Sequence, residues 1–262
     1  MKKIGFTLAE VLITLGIIGV VAALTAPALV SNTGNQANTS RLSVTVSNLE
    51  KALTTSMAEE NSERLSAVSW YPEPGVLVGA GTHFANVVGH LGQHLNILGY
   101  STESFGPNFY GSNNGPYFMS RNGEKSNDKP MQNLYFPIYL KNGAVLFFND
   151  TYSASGEGDR DTISNAGGSL FWVVGNVIID VNGKKGPNVL GRDIFRFVIG
   201  DDGILYPYGG YDYAVYLDAA SPEQYFWKNS GAIPSYRCAD ENLNNGYGCT
   251  GRVIEEGYKI NY

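Results

Sequence analysis

The chain has three histidines, and their spacing could place all of them on one face of a helix. His83, His90 and His94 are separated by seven and four residues, and three imidazoles on one face are a ligand set that zinc accepts. Gly89 and Gly92 weaken a helix in this stretch, and the apolar residues among the histidines indicate that the stretch is half buried. We therefore favour a packed or solvated histidine face over a zinc site.

A second candidate site is a loop rich in carboxylate and amide oxygens. Asp180, Asn182 and Asp193 offer the oxygen ligands that calcium prefers. The spacing is not that of an EF-hand, because Lys184 and Gly191 stand where that loop needs its fifth and twelfth residues. Basic residues within the loop also weaken the negative field that a cation needs. We favour a turn held by its own Asp and Asn side chains, with calcium as the alternative.

The two cysteines, Cys238 and Cys249, are the only ones in the sequence. Their spacing fits neither a redox Cys-x-x-Cys motif nor a four-ligand zinc site. In an oxidising compartment the pair predicts one disulfide that closes a C-terminal loop and contributes about 2–3 kcal/mol. Two free thiols are the alternative.

The sequence contains no motif of an enzyme active site, neither Gly-x-Ser-x-Gly, a P-loop nor His-Glu-x-x-His. The paired carboxylates Asp159/Asp161 and Asp201/Asp202 stand in glycine-rich turns, where solvated caps are the ordinary explanation. The tyrosines between Tyr206 and Tyr216, if exposed, could bind carbohydrate by stacking, although packing in the head is the simpler interpretation. We therefore predict that the protein is not an enzyme.

The charges are few and unevenly distributed. The 262 residues include 18 basic and 24 acidic side chains, for a formal net charge of −6, which argues against nucleic acid as the main partner because phosphate binding needs a basic face. The 43% of hydrophobic residues can bury a core. Between Lys3 and Arg41, however, Glu10 is the single charged residue, and a soluble domain does not begin in this way.

An apolar stretch runs from Phe6 to Val30. As a helix it is about 37 Å long, enough to cross a hydrocarbon core of about 30 Å. Lys2 and Lys3 on its N-terminal flank predict a cytoplasmic N-terminus. A secretory signal peptide would be shorter. A plain membrane anchor leaves Glu10 unexplained, because an ionisable group within a span costs at least about 2.5 kcal/mol.

The residues around Gly5 account for both the length of the apolar stretch and the charge of Glu10 within it. Lys-Lys-Ile-Gly followed by Phe-Thr-Leu-Ala-Glu at residues 2–10 resembles the class III signal of type IV prepilins and type II secretion pseudopilins. The resemblance implies that a prepilin peptidase cleaves between Gly5 and Phe6 and then N-methylates Phe6. It also implies that Glu10 of a neighbouring subunit pairs with the new α-amine during assembly, and that Pro27 bends the fibre-core helix.

The resemblance further implies partners and a location. The partners would be prepilin peptidase, other pilin or pseudopilin subunits in a homo- or heteropolymer, and an inner-membrane assembly platform. The chain would be a single-pass inner-membrane protein with a periplasmic head, and afterwards part of a pilus or pseudopilus in the periplasm or at the cell surface. Major pseudopilins carry calcium in a loop near the sheet, and many pilins carry a C-terminal disulfide loop.

The sequence also predicts the elements that position these residues. After residues 1–5, the leader, and 6–30, the membrane or fibre-core helix, we predict an amphipathic continuation over 31–70, where Leu42, Val46, Leu49, Leu53 and Met57 recur at helical spacing. Residues 71–262 form the head. It begins with irregular loops around a short helix near 83–98.

Strands are predicted from residue 134. We expect a hairpin over 134–148 with a type I′ turn at Asn142 and Gly143, a strand or strand pair over 170–181, a second hairpin over 194–206, and a final strand over 252–260. The predicted fold is therefore α+β and pilin-like, with a long helix packed on an antiparallel sheet.

The function predicted from the sequence is that of a structural subunit, possibly a minor one, in a type II secretion pseudopilus or a type IV pilus. The alternative is a fibre-displayed adhesin or binding module that uses the head. No cofactor is expected beyond a possible structural Ca²⁺.

Overall fold

The computed structural model describes residues 7–71, 80–101, 136–149, 162–164, 170–211, 226–228, 237–238 and 248–260. The chain divides into two compact units, Met1–Ala37 and Asn38–Tyr262. Gly5 and Phe6 lie outside the described residues, and only the helical backbone of Pro27 is described.

The first unit consists of the N-terminal part of helix α1, which spans Leu8–Glu59. Within α1, Leu8–Ala26 has a mean hydropathy of 2.3, and by length and composition it is able to cross a membrane. Its apolar side chains are exposed in the single chain. The helix continues without interruption through Pro27 and the polar stretch 31–40.

The second unit begins with the amphipathic part of α1. Leu42, Val46, Leu49, Leu53 and Met57 are all buried, as the helical spacing predicts. The helix ends at Glu59, short of residue 70, in a Schellman motif. There Asn61 takes a φ of 53°, Ser62 N donates to Met57 O, and Asn61 N donates to Ala58 O. A 3₁₀ turn, Leu65–Ala67, follows.

The head contains an antiparallel sheet whose strands are numbered β1 to β7 along the chain. They are Ile97–Tyr100, Phe136–Leu140, Val145–Asn149, Thr162–Ser164, Leu170–Asp180, Ile194–Gly200 and Leu205–Pro207. The order across the sheet is β1-β2-β3-β5-β6-β7, and β4 pairs with β5. Buried side chains of alternate sheet residues, such as Phe148, Val177 and Phe197, form one core with α1, and the chain is α+β as predicted.

The two tight hairpins use the same turn. In each, a three-residue loop ends in glycine at positive φ, Gly143 (88°) in the β2–β3 turn and Gly203 (78°) in the β6–β7 turn. Asn142 is not among the positive-φ residues, so the type I′ prediction was wrong. A three-residue loop instead makes a type I turn followed by a left-handed glycine. Leu140 N donates to Ala144 O across the first of these loops.

Two helices complete the head. Helix α2, Ala80–His94, confirms the predicted short helix, although its last predicted residues form strand β1. Helix α3, Cys249–Glu255, replaces the strand predicted over 252–260, so that prediction was wrong. Gly251 N donates to Tyr208 O, and a Cβ at Gly251 would overlap the backbone of Gly209 and Gly210. This close packing fixes the segment as a helix against the end of β7.

Candidate functional site

The charged residue of the apolar segment, Glu10, is bound to Thr7 in the first turn of α1. Thr7 donates to Oε2 of Glu10 from both its backbone N and its hydroxyl, each at 2.8 Å. Glu10 N donates in turn to Thr7 Oγ1 at 3.3 Å. This reciprocal pattern is a capping box. The sequence analysis missed it, although the spacing Thr-x-x-Glu before an apolar run is its signature.

The capping box determines where the carboxylate of Glu10 lies. It is held at the N-terminal end of α1, where the free backbone N–H groups and the helix dipole favour negative charge. Thr7 directly follows Phe6, so the carboxylate is fixed within a few residues of the predicted cleavage point. In the single chain Glu10 is exposed and accessible to another molecule.

The structure brings together the three residues of the predicted calcium loop. Asp193 is fully buried and accepts hydrogen bonds from Asn188 N at 2.7 Å, Val189 N at 2.6 Å and Asn182 Nδ2 at 3.2 Å. Asp180, also buried, accepts a bond from Asn182 N at 3.1 Å, which is an Asx turn. Burial raises the pKa of Asp193 to about 6, against the opposing effect of the N–H donors.

These contacts favour the turn over the cation. The N–H groups of the loop compete for the carboxylate of Asp193 that calcium would need, and calcium takes six to eight oxygen ligands. Among the described residues, no group of three or more His, Cys, Asp or Glu side chains is placed to hold a metal ion. The buried Oδ1 of Asn182, for which the described residues provide no hydrogen-bond partner, is the observation that a cation would explain. Calcium remains a prediction.

Cys238 and Cys249 form a disulfide. Both are fully buried in a small cluster with Val189 and Trp227. Nη1 of Arg252 donates to Cys238 O at 2.7 Å, so α3 holds both ends of the crosslink. The bond is therefore part of the packing of the head and is not an accessible redox pair.

The comparison with known proteins concerns the N-terminal segment. Residues 1–26 match the family model described as the prokaryotic N-terminal methylation motif. This segment is a type IV prepilin-type class III signal. The whole chain matches no curated protein and no solved structure.

The prepilin-type signal establishes the coarse nature of the chain. The motif supports a pilin-like precursor, and it implies processing by prepilin peptidase and assembly with other pilin subunits. Together with the single apolar helix found among the described residues, it indicates a structural, membrane-anchored protein.

The remaining candidates of the head are engaged in packing. His90 stacks on Trp70 with ring centroids 5.4 Å apart, and His94 Nε2 lies 3.2 Å from Glu59 Oε2. The side chain of His83 lies outside the described residues. His90 and His94 therefore contact an aromatic ring and a carboxylate, which favours a packed histidine face.

The paired carboxylates of the β6–β7 turn differ from the solvated caps that the sequence suggested. Asp201 is buried, and it accepts hydrogen bonds from Arg64 Nε at 2.6 Å and Ser66 N at 2.7 Å. The turn therefore ties the segment after α1 to the sheet. Asp159, Asp161, Tyr213 and Tyr216 lie outside the described residues.

Proposed function

We propose that this chain is a structural subunit that is cleaved between Gly5 and Phe6, N-methylated at Phe6 and polymerised through its N-terminal helix into a type II secretion pseudopilus or a type IV pilus. The observation that carries the proposal is the prepilin-type signal at residues 1–26, which includes a helical segment, Leu8–Ala26, that is able to cross a membrane. Before assembly the chain lies in the inner membrane, with its N-terminus in the cytoplasm and its head in the periplasm, as Lys2 and Lys3 on the flank of the span favour.

The capping box supports a specific role for Glu10. Cleavage leaves a cationic α-amine on Phe6, which is expensive to bury in an apolar fibre core unless it is paired. Thr7 keeps the carboxylate of Glu10 at the same end of the helix. A neighbouring copy therefore presents an oriented anion that neutralises the amine and sets the register between two packed helices.

Processing is tested by N-terminal mass spectrometry of the native protein. The expected first residue is N-methyl-Phe6. An intact Met1, or a chain that begins at Leu29 after cleavage by a general signal peptidase, would refute the proposal.

Assembly is tested by three variants of Glu10. Glu10→Val and Glu10→Lys are expected to be processed at Gly5 but to form no fibres. Glu10→Gln keeps an oxygen for the two donors of Thr7 and removes only the charge, so it separates capping from pairing. We expect it to remain processed and to assemble poorly. Lys51→Gln, which removes a charge at an exposed position of α1 in the head, is the control for processing and folding. Normal fibres from Glu10→Val would contradict the assigned role.

A further inference from the structure

We propose that the heads of neighbouring copies bind one another head to tail, with a basic end of one head on an acidic end of the next. This inference rests on the proposed function. The basic end comprises Arg41, Lys141, Lys184, Lys185 and Arg192. The acidic end comprises Glu59, Glu60, Glu63 and Asp202, beside the ion pair of Arg64 with the buried Asp201.

The basic end is formed by two adjacent loops, the β2–β3 turn and the β5–β6 loop. The two loops lie at the same end of neighbouring strands, because Val145 at the start of β3 pairs with Asp180 at the end of β5. Both loops contact the beginning of the head part of α1. Asn142 Nδ2 donates to Thr45 Oγ1, and Asn38 Nδ2 donates to the carbonyl oxygen of Arg192, each at 3.3 Å.

This end presents positive charge to solvent. Lys141, Lys184 and Lys185 are exposed. The acidic residues of the same loop, Asp180 and Asp193, are buried and accept hydrogen bonds from the loop backbone. The carboxylates thus stabilise the loop from inside, while Lys184 and Lys185 lie on its exposed surface.

The acidic end lies where α1 ends and β6 turns into β7. Leu65 N donates to Asp201 O at 2.7 Å, which joins the segment after α1 to this turn. Glu59, Glu60 and Glu63 are exposed. Arg64, also at this end, already pairs with the buried carboxylate of Asp201 at 2.6 Å, so it neutralises little of the exposed negative charge.

The two ends are too far apart to neutralise each other within one head. From Asn38 to Glu59 the helix rises about 30 Å, whereas charges in physiological salt are screened over about 8–10 Å. Of the described charges outside the two ends, Glu50 and Lys51 on α1 offset each other. The charges on and after α3 also offset one another; they are Arg252, Glu255, Glu256 and Lys259. Three further basic residues remain, Arg196, Lys228 and Arg237. Among the described residues, the exposed charges at the two ends of the head part of α1 therefore have opposite signs.

The opposite charges of the two ends determine which contact between two copies is favourable. Two copies that meet by the same end repel, so a two-fold symmetric dimer through either end is disfavoured. A basic end that meets an acidic end leaves one free end on each copy. Such a heterologous contact propagates into an open filament, and that is the arrangement a fibre subunit requires. A second copy of this chain is therefore the partner that the charges fit.

The first test is charge reversal in the full-length chain, with fibres counted by electron microscopy. Lys184→Glu with Lys185→Glu, and separately Glu59→Lys with Glu63→Lys, should each reduce the fibre count about tenfold, because each variant places like charges in contact. The four changes together should restore it to within about twofold of the wild type. Lys228→Glu with Lys259→Glu, an equal reversal at two exposed lysines outside the proposed contact, should leave it unchanged. Absence of rescue by the combined variant would overturn the inference.

The second test does not depend on fibres. In membranes that contain the chain with Lys185→Cys and Glu63→Cys together, mild oxidation should give a ladder of crosslinked multimers, while either single variant should give at most a dimer. Fibres without a ladder would overturn the head-to-tail contact and leave the proposed function standing. A ladder without fibres would support the contact and refute the fibre. If Lys184→Glu alters only binding to anionic vesicles, and the ladder persists when this change is added to the double-cysteine variant, the basic end binds a lipid surface and the inference is wrong.

Discussion

At the scale of single residues, Asp193 shows how much of a loop one buried carboxylate can organise. It is the acceptor for two backbone N–H groups and one side-chain amide. Asp193→Ala leaves these donors buried without an acceptor, at a cost of about 1–3 kcal/mol for each donor that finds no water. We expect the free energy of unfolding to fall by about 3 kcal/mol in urea titrations. Lys185→Ala, on the exposed side of the same loop, should change it by less than about 0.5 kcal/mol.

The same contacts predict how the loop responds to calcium. Because the loop satisfies the carboxylate of Asp193 with its own N–H groups, we expect EDTA to leave the melting temperature of the purified chain unchanged. The measurement is a thermal melt with and without millimolar Ca²⁺. A calcium-dependent rise in Tm that disappears in Asp180→Ala would instead establish the cation site.

Glu50 gives a pH-dependent prediction. It is a half-buried residue of α1, and its Oε1 accepts a hydrogen bond from Leu205 N at 3.0 Å. Burial, with a smaller contribution from Asp202, raises the pKa of Glu50 above its ordinary value. A folded-state pKa above the unfolded one means that the folded chain holds the proton more tightly. The stabilisation is therefore present at low pH and is lost as the pH rises through the folded pKa.

The variant that tests this is Glu50→Gln, which keeps an oxygen for Leu205 N. We expect it to be more stable than the wild type at pH 7.5, with the difference shrinking towards about pH 4, where Glu50 is protonated. Urea unfolding of the detergent-solubilised chain at both pH values measures this, and Glu63→Gln controls for an exposed glutamate. A wild type that gains stability over the variant as the pH rises would show that the sign is wrong.

At the scale of elements, the sequence predicts those whose pattern is local. The buried stripe of α1 and the two glycine-ended hairpins follow from spacing and turn residues that lie within a few positions of one another. Helix α3 does not, because its β-branched Thr250, Val253 and Ile254 favour a strand. Its conformation depends on contact with the end of β7, more than forty residues earlier in the chain. Strand β1 was missed for the same reason, since it exists only by pairing with β2.

This explanation of α3 predicts a strong effect at Gly251. A Cβ there would overlap the backbone of Gly209 and Gly210, and backbone atoms cannot rotate away as a side chain can. We expect Gly251→Ala to lower the free energy of unfolding by about 3 kcal/mol and to increase hydrogen exchange in α3 and β7. The matched control is Gly89→Ala in α2, an exposed helical position with no atom within 4 Å of the added carbon. It should be neutral or stabilising by up to about 1 kcal/mol.

At the scale of the whole molecule, more can be predicted from the sequence about the first unit than about the second. The prepilin-type signal is contiguous, so residues 1–26 are sufficient for its recognition. The capping box of Thr7 and Glu10 could also have been predicted from the sequence, because its two residues are only three positions apart. The opposite charges that we propose at the two ends of the described head residues could not, since they depend on which loops the sheet places at each end of α1. Lys141 and Lys184 are far apart in the chain and become neighbours only through the pairing of β3 with β5.

The cysteines report on the compartment of the head, and so on the topology of the whole chain. The disulfide between Cys238 and Cys249 persists in an oxidising compartment, whereas cytosolic thiols are kept reduced. If the head is periplasmic, denatured protein from acid-quenched cells should take up no PEG-maleimide before reduction and two molecules after it. Cys238→Ser should take up one without reduction, which verifies that a lone thiol is detected. Two additions to the unreduced wild type would place the head in the cytoplasm and contradict the proposed orientation.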